Sequence, residues 1–310
     1  MKALRVAVAL GAFVHVAACE DPPGRAWLVD RTRVLDARVS AASDPIRASI
    51  VPGEAMRVSW LVVAPGRVPS MSWAAFVCAA PPGRAAAPRC EGPIALPASG
   101  TASDGTGEIV MDLLAPSAAV IANAEELLVI AAFCETGPVT LDPARFDATC
   151  AANVPGPASE GTREPLLASV RVRLESTGRN ANPTVAEEAV AFDGAPIALP
   201  TPRPAGAPCV AGPAAPFARA GSAHAFGFRF RGSEREPGET LLLTHAVTAG
   251  ELDRARSSLE VEDAVPKEVV IPWSAPADVP EGGLLVEAFF VVRDGRGGSA
   301  FARRTVCVGR

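Results

Sequence analysis

Short apolar runs, each closed off by proline, glycine or a small polar residue, recur along most of the chain. Few windows sustain the period of about 3.6 residues that an amphipathic helix needs, so the runs read as strands. In the first half strands are expected at Arg33–Ser40, Met56–Val63, Ser70–Ala79, Gly107–Leu114 and Glu126–Cys134. In the second half they are expected at Leu166–Glu175, His224–Arg231, Thr240–Val247, Lys267–Trp273, Leu284–Arg293 and Ala300–Val308. The segment Ser117–Val129 predicts a short helical turn followed by a strand. Asp294-Gly295 to Gly298 separates the last two runs and supplies the positive φ angles of a tight hairpin, and Asp193-Gly194 marks a shorter hairpin. Strands at this spacing with turn signals between them predict an all-β chain of two immunoglobulin-like antiparallel β-sandwich domains in tandem.

A weak internal repeat points to two related units. Pro52-Gly53-Glu54 precedes one predicted strand and Pro237-Gly238-Glu239 another. Ile109–Pro116 is similar to Val269–Pro276, each closing on Ala-Pro, and Leu127-Leu128-Val129 matches Leu284-Leu285-Val286. From Pro-Gly-Glu to Ala-Pro the distance is 64 positions in the first copy (52 to 116) and 39 in the second (237 to 276). The difference of 25 predicts an insertion around Cys78 and Cys90. The expected organisation is an export signal over 1–18, a tether over 19–26, a first sandwich over 27–136, a linker over 137–164 and a second sandwich over 165–310.

The first residues follow a different pattern. Lys2 and Arg5 precede an apolar stretch ending in Val16-Ala17-Ala18-Cys19, the layout of a secretory signal. The stretch is shorter than the roughly 20 residues of a membrane-spanning helix. Val16-Ala17-Ala18-Cys19 resembles the lipobox of bacterial lipoproteins, with His15 a mild departure. Ordinary cleavage after Ala18 is the competing reading, but a cysteine immediately after the site needs a reason. The resemblance implies cleavage before Cys19, attachment of diacylglycerol to its thiol, and stable anchoring by two or three acyl chains. Glu20 does not resemble an inner-membrane retention signal, so the implied location is the cell envelope at the outer membrane. Together with the Arg33–Val39 opening strand and Pro-Gly-Glu, the layout resembles uncharacterised envelope lipoproteins of myxobacterium-like Gram-negative bacteria with immunoglobulin-like domains. That resemblance implies no activity and carries over no functional residue except Cys19.

Net charge is −5 and becomes −7 when Lys2 and Arg5 leave with the signal, which argues against a nucleic-acid partner. Expected partners are the membrane, through the lipid, and envelope proteins or glycans. Six further cysteines remain: Cys78, Cys90, Cys134, Cys150, Cys209 and Cys307. An even number in an exported chain reads as disulfides, and order along the chain favours Cys78 with Cys90, Cys134 with Cys150 and Cys209 with Cys307, other connectivities remaining open. Metal binding by the thiols is the weaker reading, because no Cys-x-x-Cys pair is present.

Side chains able to support catalysis are scarce. His224 and His245 both fall on predicted strands, and Gly-x-Ser-x-Gly is absent. Ser222 and His224 share a face of an extended chain, but no acid lies beside them to orient the imidazole, so ordinary strand histidines are expected. Glu260, Glu262 and Asp263, with Glu251 and Asp253 nearby, are a calcium candidate, although Arg254 and Arg256 interleave and favour a self-neutralising surface. Ser103–Glu108, with Asp104-Gly105, is a weaker calcium candidate and reads better as a turn. Trp27, Trp60, Trp73 and Trp273 suit core packing better than a sugar platform. No cofactor, metal or catalytic residue is expected, and the leading reading is a non-enzymatic, lipid-anchored protein with a structural or protein-interaction role. A carbohydrate or peptidoglycan binder is the alternative.

Overall fold

A computed structural model describes residues 25–83, 89–94, 97–102, 105–121, 124–151, 164–177, 179–200, 209–232 and 235–310. Its first ten strands are β1 (Arg33–Ala41), β2 (Ala55–Val63), β3 (Met71–Ala79), β4 (Glu91–Ile94), β5 (Ala98–Ala102), β6 (Glu108–Leu114), β7 (Glu126–Cys134), β8 (Val139–Asp142), β9 (Asp147–Cys150) and β10 (Leu166–Arg173). One sheet has the order β1-β2-β6, and the facing sheet runs β10-β7-β3-β4, with β5 also on β3. Strand β6 shows the simplest logic, because Ile109, Met111 and Leu113 turn inward while its other side chains stay out of the core. In β2, Met56, Val58, Trp60 and Val62 enter the core between the sheets, where Trp60 meets Phe133 edge to face at 5.7 Å. The expected turn before β7 is the helix α1 (Ala118–Ile121).

Strands β3 and β7 are apolar on both faces, and two lids explain why. Phe76, Cys78, Leu128 and Ile130 form an outer cluster covered by Cys90, Ile94, Leu141 and Phe146. The disulfide Cys78–Cys90 fastens the β4 side, and Cys134–Cys150 fastens the β8–β9 hairpin.

The second sandwich contains β11 (Val190–Phe192), β12 (Ala195–Pro196), β13 (Phe217–Arg219), β14 (Ala223–Phe230), β15 (Leu241–Val247), β16 (Glu251–Leu252), β17 (Arg256–Leu259), β18 (Lys267–Ser274), β19 (Leu284–Arg293) and β20 (Ser299–Gly309). Its sheets run β12-β11-β14-β18-β16 and β13-β20-β19-β15-β17. Phe226, Phe228, Phe230, Trp273 and Phe290 fill the space between them. The Asp294-Gly295 hairpin forms as expected, with Gly295 and Gly297 at φ of 74° and 103°. Cys209–Cys307 is the third disulfide and ties the approach to β13 onto β20.

Sheet order makes both units immunoglobulin-like and corrects two expectations. Strand β10 pairs with β7 from Leu166↔Phe133 to Arg173↔Glu126, so it is the last strand of the first sandwich, not the opening of the second. The segment 137–164 is likewise not a bare linker, since β8 and β9 lie in it; residues 152–163 lie outside the described residues. The repeat is genuine but its first match is displaced by one strand. Gly53 N–H donates to Pro116 O (3.0 Å) and Ala115 N–H to Glu54 O (2.9 Å). In the second unit Gly221 N–H donates to Pro276 O (3.1 Å) and Ala275 N–H to Ser222 O (2.9 Å). Gly53 therefore corresponds to Gly221, both at positive φ, and β2 to β14, whereas Pro237-Gly238-Glu239 leads into β15, the counterpart of β3. Counted between true equivalents, the copies are 63 and 55 positions long (53 to 116, 221 to 276), so the 25-residue insertion shrinks to eight.

The two sandwiches share a buried seam. Leu61 and Val63, on the outer face of β2, pack with Val29 against Ala246, Phe289 and Val291 on the outer face of the β15–β19 sheet. Polar anchors flank this patch. Arg293 Nε donates to Asp36 Oδ1 (2.8 Å) and Arg293 Nη2 to Leu35 O (2.8 Å), while Ser299 Oγ donates to Asp36 Oδ2. Asn182 Nδ2 donates to Val39 O (2.7 Å) and its Oδ1 accepts from Ser299 N–H (2.9 Å). Asn180 Nδ2 reaches Asp294 Oδ2 (2.9 Å). Burial pushes the Asp36 carboxyl up, against the pull of Arg293 and its hydrogen bonds.

Candidate functional site

The hairpin at Asp193-Gly194 returns β12 against β11, and Asp193 occupies the left-handed region at φ 47°, as an Asp-Gly turn of this kind requires. β11 pairs with β14, which carries the turn to the start of that strand. There Asp193 Oδ1 accepts from Ala225 N–H (2.9 Å) and Oδ2 lies 2.6 Å from His224 Nδ1. On the other side of the ring Nε2 lies 2.7 Å from Ser222 Oγ. Phe192 stacks on the imidazole at 4.9 Å. The acid that the local sequence lacks thus arrives from 31 positions upstream, and the expectation of an unoriented strand histidine is corrected. Its only sequence signal is the hairpin itself, which brings Asp193 near β14 only once the strand pairing is known.

Distances of this kind are those of a serine–histidine–aspartate relay, but the serine hydroxyl also has the carbonyl of Arg219 within reach. Ser222 has one hydroxyl proton, and its Oγ donates to Arg219 O, closing a turn in which Ser222 N–H also donates to Arg219 O (3.1 Å). Asp193 Oδ2 accepts from Nδ1–H, which leaves the Nε2 lone pair of a neutral ring facing Oγ as a second acceptor for the Ser222 proton. A nucleophilic serine must give its proton to that nitrogen, and the Arg219 carbonyl competes for it here. The arrangement is a clasp joining a hairpin, a strand start and a turn.

The three expected disulfides, Cys78–Cys90, Cys134–Cys150 and Cys209–Cys307, all form, whereas Cys19 lies outside the described residues. His245 sits in the second sandwich at 2% exposure, and burial lowers its imidazole from 6.5 to about 4. The acidic cluster is self-satisfied: Asp263 Oδ2 accepts from Lys267 Nζ (2.6 Å) and from Glu260 N–H (2.6 Å). Among the described residues no three histidine, cysteine or carboxylate side chains gather as a metal site. Ser103 and Asp104 lie outside the described residues.

Trp60 and Trp273 are 1% exposed, and Trp27 and Trp73 are half-buried against the two cores. Trp73 is also covered by Gly100, where a Cβ would come within 2.7 Å of the indole. The core thus takes Trp60 and Trp273, whereas Trp73 lines a groove of about 640 Å³ with Ser70, Ser72 and Ser99. A groove of about 1110 Å³ runs between β1 and β10 and includes Asp36, Arg293 and Trp60.

No family model matches the sequence, and no curated protein matches it. Among solved structures, red sea bream transglutaminase is similar at 11% identity over 91% of this chain and 32% of that one, with a TM-score of 0.26. Alpha-2-macroglobulin of E. coli is similar at 13% identity over 89% of this chain and 17% of that one, TM-score 0.25. Salmonella alpha-2-macroglobulin reacted with methylamine gives 13%, 89%, 16% and 0.24. This chain spans about a third or less of each of those proteins, and at such TM-scores the likeness says nothing of activity, substrate or partner.

Proposed function

We propose that the chain is exported, cleaved before Cys19 and held on a membrane of the cell envelope by acyl chains on that cysteine, where the paired sandwiches serve a structural or protein-binding role without catalysis. The observation that carries the structural part is the seam: Leu61, Val63, Phe289 and Val291 are buried between the units, and Asp36, Arg293, Asn180 and Asn182 bridge them. A pair of domains fixed in this way works as a rigid spacer that displays its outer edges. Three disulfides in so small a chain suit an oxidising compartment outside the cytoplasm, in keeping with the export signal. Glycan binding is the alternative, and of the four indoles Trp27 and Trp73 keep exposed area for it. Fractionating cells that carry Cys19→Ser tests the anchor: the variant is expected in the soluble envelope fraction while the parent chain sediments with membranes, and equal sedimentation of both would count against the proposal.

A further inference from the structure

The described chain begins on the second sandwich, although its first strand belongs to the first. Arg25 pairs with Glu251 at 2.7 Å. Trp27 O accepts from Val247 N–H and Val29 N–H donates to Val247 O, both at 2.8 Å, and the Trp27 ring packs against the second core. Cys19 precedes Arg25 by six positions. At no more than about 3.6 Å per residue, those positions reach about 20 Å in any conformation.

Hydrogen bonds show what else lies at this end. Glu251 pairs with Ser274, Trp273 Nε1 donates to Ala249 O (3.1 Å), and Gly221 N–H donates to Pro276 O (3.1 Å). The turns around Gly221, Gly250 and Ala277 thus form one rim, on which Arg219, Glu251, Ala277 and Asp278 are exposed. The first sandwich is fixed in the opposite direction. From Val29, level with Val247, the chain climbs to Asp36, which meets Arg293 and Ser299 at the far end of β19 and β20. β1 then continues to Ala41, and exposed Ile46 lies just beyond it. At ~3.3 Å per extended residue, that separates Ile46 from the rim by something on the order of 30 Å.

We infer that the rim of the second sandwich around Gly221, Gly250 and Ala277 faces the lipid bilayer and that the first sandwich is held away from it. The inference rests on acylation of Cys19. It reverses the simplest reading of chain order, in which the domain nearest the anchor in sequence is nearest the membrane in space. Arg25 and Arg219 alternate with Glu251 and Asp278 on the rim, a mixture that suits zwitterionic headgroups.

The test uses the full chain, purified from membranes, with its acylation read by intact mass and a fluorescent amino acid placed at Ala277 or at Ile46. Each form is reconstituted into vesicles of phosphatidylethanolamine and phosphatidylglycerol that carry an acceptor dye on a fraction of the headgroups. Energy transfer is expected to be several-fold greater from position 277 than from 46, and a second pair, Asp278 and Arg179, is expected to repeat the order. Equal transfer, or more from 46 and 179, in an acylated chain would overturn the orientation and leave the anchor standing. A chain with no acyl mass at Cys19 would overturn both.

Discussion

Among individual residues His245 offers the sharpest test of the fold. Burial strips water from its ring and holds the imidazole at about 4, against an ordinary 6.5. Below pH 6.5 the unfolded chain therefore binds a proton that the folded chain refuses. Stability is fully present above about pH 6.5 and is lost as pH falls towards 4, by up to about 3 kcal/mol at 1.36 kcal/mol per pH unit. Urea unfolding of His245→Leu between pH 4 and 7 should show a flatter pH dependence than the parent chain, and an unchanged slope would remove His245 as its source. At this scale the sequence was only partly legible. Cysteine pairing followed from order along the chain, because neighbours in sequence close the lids over β3 and β7. Asp36 and Arg293 lie 257 positions apart, and nothing local marks either as a seam residue. Arg304 was equally unmarked; at 1% exposure it donates to the carbonyls of Ile197, Arg303 and Glu187.

For the elements, strands that bury one or both faces were readable from apolar runs, which is why β2, β7, β15 and β19 appear close to their expected bounds. Short strands were missed. β13, β16 and β17 span two to four residues each, too few for a period-two pattern to stand out, whereas β11 and β12 were signalled by the Asp193-Gly194 turn between them. Pro-Gly-Glu misled because the turn has local uses independent of its place in the fold. In both copies the glutamate carboxylate accepts from the backbone N–H three residues back, Val51 (3.0 Å) and Glu236 (2.6 Å), and pairs with an arginine, Arg47 and Arg296. The same local chemistry therefore recurs before strands that are not equivalent. The longest-range staple acts on an element that pairing alone holds weakly: β13 meets β20 over three residues, and Cys209–Cys307 closes 98 positions beside it. Replacing both cysteines by alanine is expected to lower unfolding free energy by about 4 kcal/mol in the chain-entropy picture, read as a lower denaturant midpoint; an unchanged midpoint would show that β13 is held by packing alone.

The whole molecule couples three features that chain order keeps apart. The first described residues dock on the second sandwich, the first sandwich leans on that sandwich's outer sheet, and Ser222, His224 and Asp193 clasp the end from which the chain emerges. Neither sheet pairing nor the seam could be read from hydrophobic pattern, since the buried outer faces of β2 and β19 look like ordinary core strands until a second sheet is found against them. The proposed role depends on Cys19 holding this body at a membrane. The most direct measurement is the intact mass of the protein isolated from native membranes. The expected mass is that of a chain that starts at residue 19 and carries two or three acyl chains; a chain that starts at residue 19 with no acyl mass, or one that keeps residues 1–18, would contradict the proposed anchor.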